Sequence, residues 1–456
     1  MESYVNVIGG GLAGCEAAYQ IAKRGINVRL YEMKPEHFSP AHSNKNLAEI
    51  VCSNSFKSNL ITNACGLLKQ ELRMLDSLLI KIADQTSVPA GQALAVDREH
   101  FSARVTEEIS KMPEIELIPM EVGKGKGVSL KSLMQEAITI VATGPLTSDS
   151  LSEEIKEITG GKSLSFYDAA SPIIRKDTID ENIAFFADRY GKGDSSYLNL
   201  PMNEEEYKNF YEALIHAEVV ELHDFEKKEI FEGCMPIEIM AKRGEDTMRF
   251  GPLKPVGFTD PRTGKRPYAI VQLRQDNKEG TLYNMVGFQT NLKFGEQKRV
   301  FSMIPGLENA EFVKYGVMHR NTYLNSPELL DSTYALNEKL YFAGQITGVE
   351  GYVESISSGL VAGINAANQI KGLEKQIFPP ETVIGALANY ISSDHPNFQP
   401  MNANFGILPE LEEKVKEKQE RYKKQADIAM EKIKKVKMWN KGTVFKFQIS
   451  FLKFEI

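Results

Sequence analysis

The sequence predicts an α/β fold: a parallel-sheet domain assembled from two separate stretches of chain, with an α+β domain inserted between them. Three observations predict it. A short apolar run, Tyr4-Val5-Asn6-Val7-Ile8, ends on Gly9-Gly10-Gly11-Leu12-Ala13-Gly14 and leads into helix formers. A second apolar run, residues 137–141, ends on Ala142-Thr143-Gly144-Pro145. A third, Leu340-Tyr341-Phe342-Ala343, ends on Gly344 far downstream.

Taken in order, the first run reads as a strand because it is β-branched and stops at glycine. Residues 15–24 are rich in Glu16, Ala17, Ala18 and Ala22, and Gly25 stops that helix. Ile26-Asn27-Val28-Arg29-Leu30-Tyr31 is the next strand, closed by Glu32. In such a unit Gly9 makes the tight turn, Gly11 lets the backbone approach a pyrophosphate, and Gly14 lets the helix lie close to the strand. The helix N-terminus turns unpaired N–H groups and a positive dipole end toward the phosphates. Glu32, about twenty residues on, is placed to accept hydrogen bonds from a ribose diol. This is a Rossmann-like fingerprint in its full context.

The position of the unit at the N-terminus, with two further glycine-ended strands, favours FAD over NAD. Thr143 and Gly144 end one of these strands and Gly344 the other. Gly348, Gly351 and Tyr352 then lead into a helix of small residues at 354–369, whose N-terminus can press against a flavin. The expected division is an FAD-binding domain of residues 1–164 and 331–437, an inserted α+β domain of residues 165–330, and a C-terminal tail of residues 438–456.

Within the first domain, Leu68, Leu72, Leu75, Leu79 and Ile82 predict one core helix over 67–82. Val96-Asp97-Arg98 precedes a helix from Glu99, and residues 121–130 read as an exposed hairpin or loop. The insert carries a basic, turn-rich stretch with Arg243, Arg249, Lys254, Arg262, Lys265 and Arg266, interleaved with Phe250, Phe258 and Tyr268. That mixture suits RNA phosphate contact with stacking, or equally a solvated loop. Residues 411–437 read as a long helix with the stripe Val415, Tyr422, Ala426, Ala429, Ile433 and Val436. Residues 444–451 alternate with period two, as a strand seeking an edge would.

Composition bounds the function. The chain has 456 residues, 42% hydrophobic and 25% charged, which excludes disordered, collagen-like and disulfide-scaffold proteins. A net charge of −7 excludes a protein that coats nucleic acid through a general basic field. The N-terminus carries no signal-peptide pattern and no apolar run is long enough for a membrane span. A soluble, cytoplasmic protein with reduced thiols is expected.

Of the four cysteines, Cys52 and Cys234 stand at turns with polar or glycine neighbours, where a thiol is accessible. Cys15 reads as buried filler in the first helix, and Cys65 has no such context. There is no C-x-x-C pair and no paired-histidine spacing, so neither a disulfide reductase nor a zinc site is expected.

Several segments resemble the folate- and FAD-dependent tRNA (uracil-5-)-methyltransferase family (TrmFO-type), a smaller relative of the wobble-uridine enzyme GidA. They are the residue 7–14 fingerprint, Val51-Cys52-Ser53-Asn54-Ser55, residues 231–244 around Cys234, Gly287-Phe288-Gln289-Thr290-Asn291-Leu292, Tyr315-Gly316-Val317-Met318-His319-Arg320-Asn321, Gly348-Val349-Glu350-Gly351-Tyr352 and Pro400-Met401-Asn402-Ala403-Asn404-Phe405-Gly406. The likeness spans the chain to about residue 437 and leaves the tail without a role.

The resemblance implies C5-methylation of an RNA uridine, with the carbon drawn from 5,10-methylenetetrahydrofolate and handed on by FAD that NAD(P)H has reduced. It implies Cys234 as the nucleophile that adds to uracil C6, and Cys52 as its partner in deprotonation or collapse, although the residues leave the order of the two thiols open. Tyr352 is implied beside the flavin or folate ring. A tRNA T-loop uridine is the first substrate expected, and a 23S ribosomal RNA uridine the alternative. A small-molecule flavin oxidoreductase and a non-enzymatic flavin module are the rivals of a different class. Oligomeric state and folate contacts are not legible.

Overall fold

The computed structural model of the protein describes residues 4–39, 41–169, 171–191, 196–220, 235–316, 318–394, 398–413 and 415–452, with backbone alone for 163–169, 191, 318–322 and 438–452. Five strands form a parallel sheet in the order Leu340–Phe342, Ile138–Val141, Tyr4–Ile8, Asn27–Glu32, Ile115–Pro119. Val7 pairs with Leu30 on one side and Ile140 on the other. All three glycine-ended runs therefore finish side by side at one edge of the sheet.

The Leu12–Ala22 and Tyr352–Ile370 helices cross above this sheet. The small residues of the second helix serve that contact. A Cβ at Gly359 would lie 2.2 Å from the Ala13 carbonyl oxygen, and one at Gly363 would lie 2.7 Å from that of Ala17. Two backbones meet where side chains are absent, as ridges and grooves reduced to their minimum allow.

A second sheet is antiparallel, in the order Phe185–Phe186, Tyr197–Met202, Ala269–Gln275, Leu282–Met285, Ile173–Arg175, Phe312–Lys314. Its apolar residues build a core of their own, from Ile174 to Ala310, apart from the core that unites residues 5–155 with 323–436. Ser163–Ala169 and Met318–Leu324 pair antiparallel where the chain passes between the two.

Three sequence expectations change. The single helix over 67–82 is two, Ala64–Met74 and Leu78–Gln85. Asp76 takes a positive φ of 59°, and the Ser77 side chain accepts from the Ile80 N–H to start the second helix. The apolar spacing survives the break, so periodicity alone conceals it. The helix expected over 411–437 begins later, at Lys418, with the Glu417 carboxylate accepting from the Gln419 and Glu420 N–H groups. Val415 therefore lies outside it, while Ala426, Ala429, Ile433 and Val436 are buried.

The tail expected as a strand continues the same helix to Leu452. Extending a formed helix costs one residue's order per hydrogen bond, whereas a lone strand has no partner edge to pair with. Among the described residues no helix is long and apolar enough to cross a membrane.

Gly359→Val is expected to lower stability by about 1–3 kcal/mol through overpacking against backbone that cannot yield. Gly295→Ala, where an added Cβ meets nothing within 4 Å, is expected to leave the melting temperature unchanged. Equal melting curves for the two variants would show that the crossing is looser than described.

Candidate active site

At the carboxyl ends of the parallel strands lies a cleft, the position where open α/β sheets bind ligands. Its floor is the glycine turn. Gly9 holds φ +101°, and a Cβ there would stand 2.7 Å from the Ala142 carbonyl oxygen. Gly14 lies beneath the turn, where a Cβ would meet the Gly9 oxygen at 1.8 Å. At Gly11 a Cβ would meet nothing within 4 Å, so the space a phosphate needs is open. Gly11 also starts the helix without a side-chain cap, which leaves its first N–H groups available.

Glu32 is buried at the next strand end. Its carboxylate accepts from the Gly10 N–H at 2.7 Å and the Lys34 N–H at 2.9 Å, so it fixes the turn as well as facing the cleft. Of the expected cofactor residues, Gly9 to Ala13, Glu32, Thr143, Gly144, Gly344 and Tyr352 all line the cleft. Gly14 and Gly351 do not line it. Gly351 opens the Tyr352–Ile370 helix at φ +124°, where a Cβ would crowd the Glu354 carboxylate at 2.3 Å.

Sequence reading missed Lys34, whose buried ammonium donates to the Asn44 and Asn46 carbonyls at 3.1 and 2.6 Å and lies 3.6 Å from Glu49. Its partners come from a loop ten residues away, and no local pattern marks them. Lys34 and Glu49 both line the cleft.

Cys52 is half-buried beside the cleft. The Tyr352 hydroxyl accepts from the N–H groups of Cys52 and Ser53, at 2.9 and 3.0 Å. Burial holds that hydroxyl well above the usual tyrosine range, so it stays protonated. The Tyr352 ring lies 5.6 Å from that of Phe56. Arg98 grips the same loop from behind, donating to the Ile50 and Val51 carbonyls at 3.0 and 3.2 Å and to Asp276 at 3.0 Å. Asn54 donates to the Gln275 carbonyl at 2.8 Å and accepts from Arg274 at 2.8 Å. The thiol loop is thus pinned between the two cores.

The charges near Cys52 are mixed, with Asp276 paired to Arg98 and Glu49 near Lys314. The Cys52 sulfur lies within electrostatic reach of the Arg98 guanidinium and the Lys314 ammonium. Burial, with Arg98 adding to it, holds Lys314 below the usual lysine range. The other described thiols differ. Cys15 is fully buried with its sulfur 3.2 Å from the Gly10 carbonyl, and burial pushes it far up; Cys65, also buried, is pushed up to about 11.

Cys234 lies outside the described residues. The residues on either side of its segment are both held by one short stretch. Val220 and Asn291 exchange hydrogen bonds through the Val220 N–H and the Asn291 side chain, at 2.9 and 3.0 Å, while the Ile237 N–H donates to the Gln289 carbonyl at 2.7 Å. The buried Glu238 carboxylate accepts from Thr290 and from the Asn291 N–H, both at 2.8 Å.

The basic segment is only partly as expected. Arg243, Lys254, Lys265 and Arg266 are exposed. Arg262 is exposed but holds Asp260 at 2.9 Å, and Arg249 covers the Tyr268 ring at 3.5 Å while bonding to Asp246. Phe258 is buried under Arg189 and cannot stack on a base, a correction that leaves Phe250, 79% exposed, as the open ring. Among the described residues Asp97, His100 and Glu279 approach one another, yet Asp97 is already used by the N–H groups of His100 and Lys278.

Residues 4–374 match the protein family described as glucose inhibited division protein A. The chain is 59% identical over 439 residues to a protein of Listeria innocua named methylenetetrahydrofolate–tRNA-(uracil-5-)-methyltransferase TrmFO, covering 96% of this chain and 99% of that one. It is 60% identical to the protein of the same name from Acetivibrio thermocellus, covering 92% and 95%. Among solved structures, Aquifex aeolicus GidA in its form I crystal superposes with a TM-score of 0.67 at 17% identity, covering 95% of this chain and 76% of that one, a likeness of fold.

Tyr352→Phe leaves two N–H groups of the Cys52 loop without their acceptor, at a cost of about 1–3 kcal/mol. Alkylation of Cys52 by iodoacetamide, followed by peptide mass, is expected to quicken several-fold while Cys15 and Cys65 stay unlabelled. An unchanged Cys52 rate would show that the hydroxyl does not hold the loop.

Proposed function

This chain belongs to the glucose inhibited division protein A family and, within it, to the methylenetetrahydrofolate–tRNA-(uracil-5-)-methyltransferases, and from that premise we propose that it methylates C5 of a tRNA uridine. The single observation that carries the reading beyond kinship is the shared Tyr352. One side chain lines the dinucleotide cleft and holds the backbone of Cys52, so cofactor and thiol meet at one point.

The residues present fit a dinucleotide. Gly9 and Gly14 shape the tight turn, Gly11 leaves room for its phosphates, the uncapped helix faces them, and Glu32 stands at the next strand end for the ribose. FAD, when bound, would supply the carrier and reducing chemistry that turns a folate methylene carbon into a methyl group. NAD(P)H is the proposed source of electrons.

The thiols act on the base. Uracil C5 is a poor nucleophile until a thiolate adds at C6, which pushes electron density through C5 toward O4. Cys234 is assigned that addition on the family resemblance of its segment. After C5 has bonded to the one-carbon unit, its proton must leave. Cys52 is assigned as the base, since the Tyr352 side chain that lines the cleft holds its backbone there. The electron pair left at C5 would expel the carrier from the one-carbon unit; a hydride equivalent, which reduced FAD would supply when bound, would then complete the methyl group as the Cys234 sulfur departs and the C5–C6 double bond returns. The target must leave its stack to be reached.

Residues 165–330 form the RNA-facing insert in this reading. Arg243, Arg249, Lys254, Arg262, Lys265 and Arg266 are offered to phosphates, with Lys254, Lys265 and Arg266 among the exposed ones. The relatives' names favour tRNA over a 23S ribosomal RNA uridine, and a tRNA substrate puts the protein in the cytoplasm.

An RNA containing 5-fluorouridine at the target is expected to become covalently trapped on the wild type and not on Cys234→Ala. A gel-shifted adduct on that variant would reassign the nucleophile, and mass spectrometry of 5-methyluridine in defined tRNA and ribosomal RNA, with methylenetetrahydrofolate and NAD(P)H supplied, tests the substrate. The triple variant Lys254→Ala, Lys265→Ala, Arg266→Ala is expected to flatten the logarithmic salt dependence of RNA binding by roughly 0.7–0.9 per lost phosphate contact. An unaltered slope would remove the patch from the interface.

A further inference from the structure

One surface feature is left unused by the chemistry above. Phe294, Tyr315 and Phe312 form a ladder of nearly parallel rings. Phe294 and Tyr315 have centroids 5.0 Å apart and planes 16° apart, and Tyr315 and Phe312 are 5.6 Å and 11° apart. The inner end is rooted in the second core: Phe312 meets Phe301 at 6.4 Å, and Phe301 meets Phe288 edge-on at 5.3 Å. The outer ring, Phe294, is 54% exposed, so Tyr315 occupies one side of it and much of the rest is open.

The ladder is held rigidly. The buried Gln297 side chain accepts from the Gly316 N–H and donates to the Gly316 and Leu292 carbonyls, at 2.8, 2.8 and 2.7 Å. This one amide locks the residue after Tyr315 to the Phe294–Phe301 helix. Both ring-bearing segments therefore keep their register without help from a ligand.

Its place in the molecule matters more. Phe294 follows directly on residues 289–293, the stretch that anchors both ends of the segment carrying Cys234. Tyr315 follows Lys314, whose ammonium is in electrostatic reach of Cys52 and Arg98. The ladder thus adjoins the structural supports of both thiols. A uridine drawn out toward them leaves its neighbour in the RNA without a stacking partner. An exposed aromatic face on a fixed stack is what such an unpaired base requires.

Resting on the RNA-methylation reading, we propose that Phe294 is a stacking platform for an unpaired base of the RNA substrate next to the methylated uridine. The outer ring continues the stack that the RNA gives up, and the three-ring ladder fixes the plane on which the base settles.

The test uses the FAD-loaded full chain and an unmodified tRNA transcript. Phe294→Ala is expected to weaken transcript binding about five- to hundred-fold, and to raise KM for RNA more than it lowers kcat. Phe294→Trp, which keeps a planar face, is expected to bind within about two-fold of the wild type. Melting curves and flavin absorbance show whether each variant is folded and loaded. Unaltered affinity in folded Phe294→Ala overturns the platform, and so does a folded Phe294→Trp as weak as Phe294→Ala, because bulk and not a π-face would then be at work. If the wild type binds the transcript but forms no 5-methyluridine, the methylation reading fails while the affinity comparison still decides the platform. A wild type that binds no RNA overturns both.

Discussion

The architecture depends on the absence of Cβ atoms where the first helix meets its neighbours. Gly14 brings that helix onto the end of the first strand, and Gly359 and Gly363 bring the Tyr352–Ile370 helix onto the other side of it. Each is a contact between backbones, which tolerates no added atom. Because the helix is held from two directions, its N-terminus is aimed with little freedom into the cleft. The same crossing sets the position of Tyr352, the first residue of the second helix. The cleft and the Cys52 loop therefore share one mechanical origin.

From Tyr352 the constraint passes to the Cys52 loop and then to the insert. Residues 50–53 lie outside the strands and helices, and the Tyr352 hydroxyl, the Arg98 guanidinium and the Asn54 amide hold them in shape. Arg98 and Asn54 reach Asp276, Gln275 and Arg274 at the end of an insert strand. Breaking a buried pair by removing one partner costs far more than the pair contributes, because the other is left uncompensated. The orientation of the insert against the cleft is thereby tied to the integrity of the thiol loop.

Much of this was legible in the chain. The glycine turn, the acid at the second strand end and the two later glycine-ended strands lie at spacings set by strand and helix periods, and each lines or supports the cleft. The burial of Cys15 followed from its place within a helix. Where reading failed, a non-local effect had intervened. Asp76 breaks a helix with a backbone angle that its residue type does not announce. Phe258 disappears under Arg189, and Arg249 over Tyr268, so aromatic residues that read as open surface are covered by cations from elsewhere in the fold or from the same loop. Residues 444–451 alternate as a strand would, yet a helix already running through them is cheaper to extend.

By itself the sequence determined the parallel-sheet fold with its glycine turn, and the family, because those rest on residue types at short, fixed intervals. Only the tertiary structure decided which groups surround Cys52, how Lys34 and Glu49 enter the cleft, and that Phe294, Phe312 and Tyr315 stand in one stack. Each of those arrangements joins segments that are distant along the chain or held in register by a buried side chain, and the free energy that selects them belongs to the packed whole rather than to any local pattern.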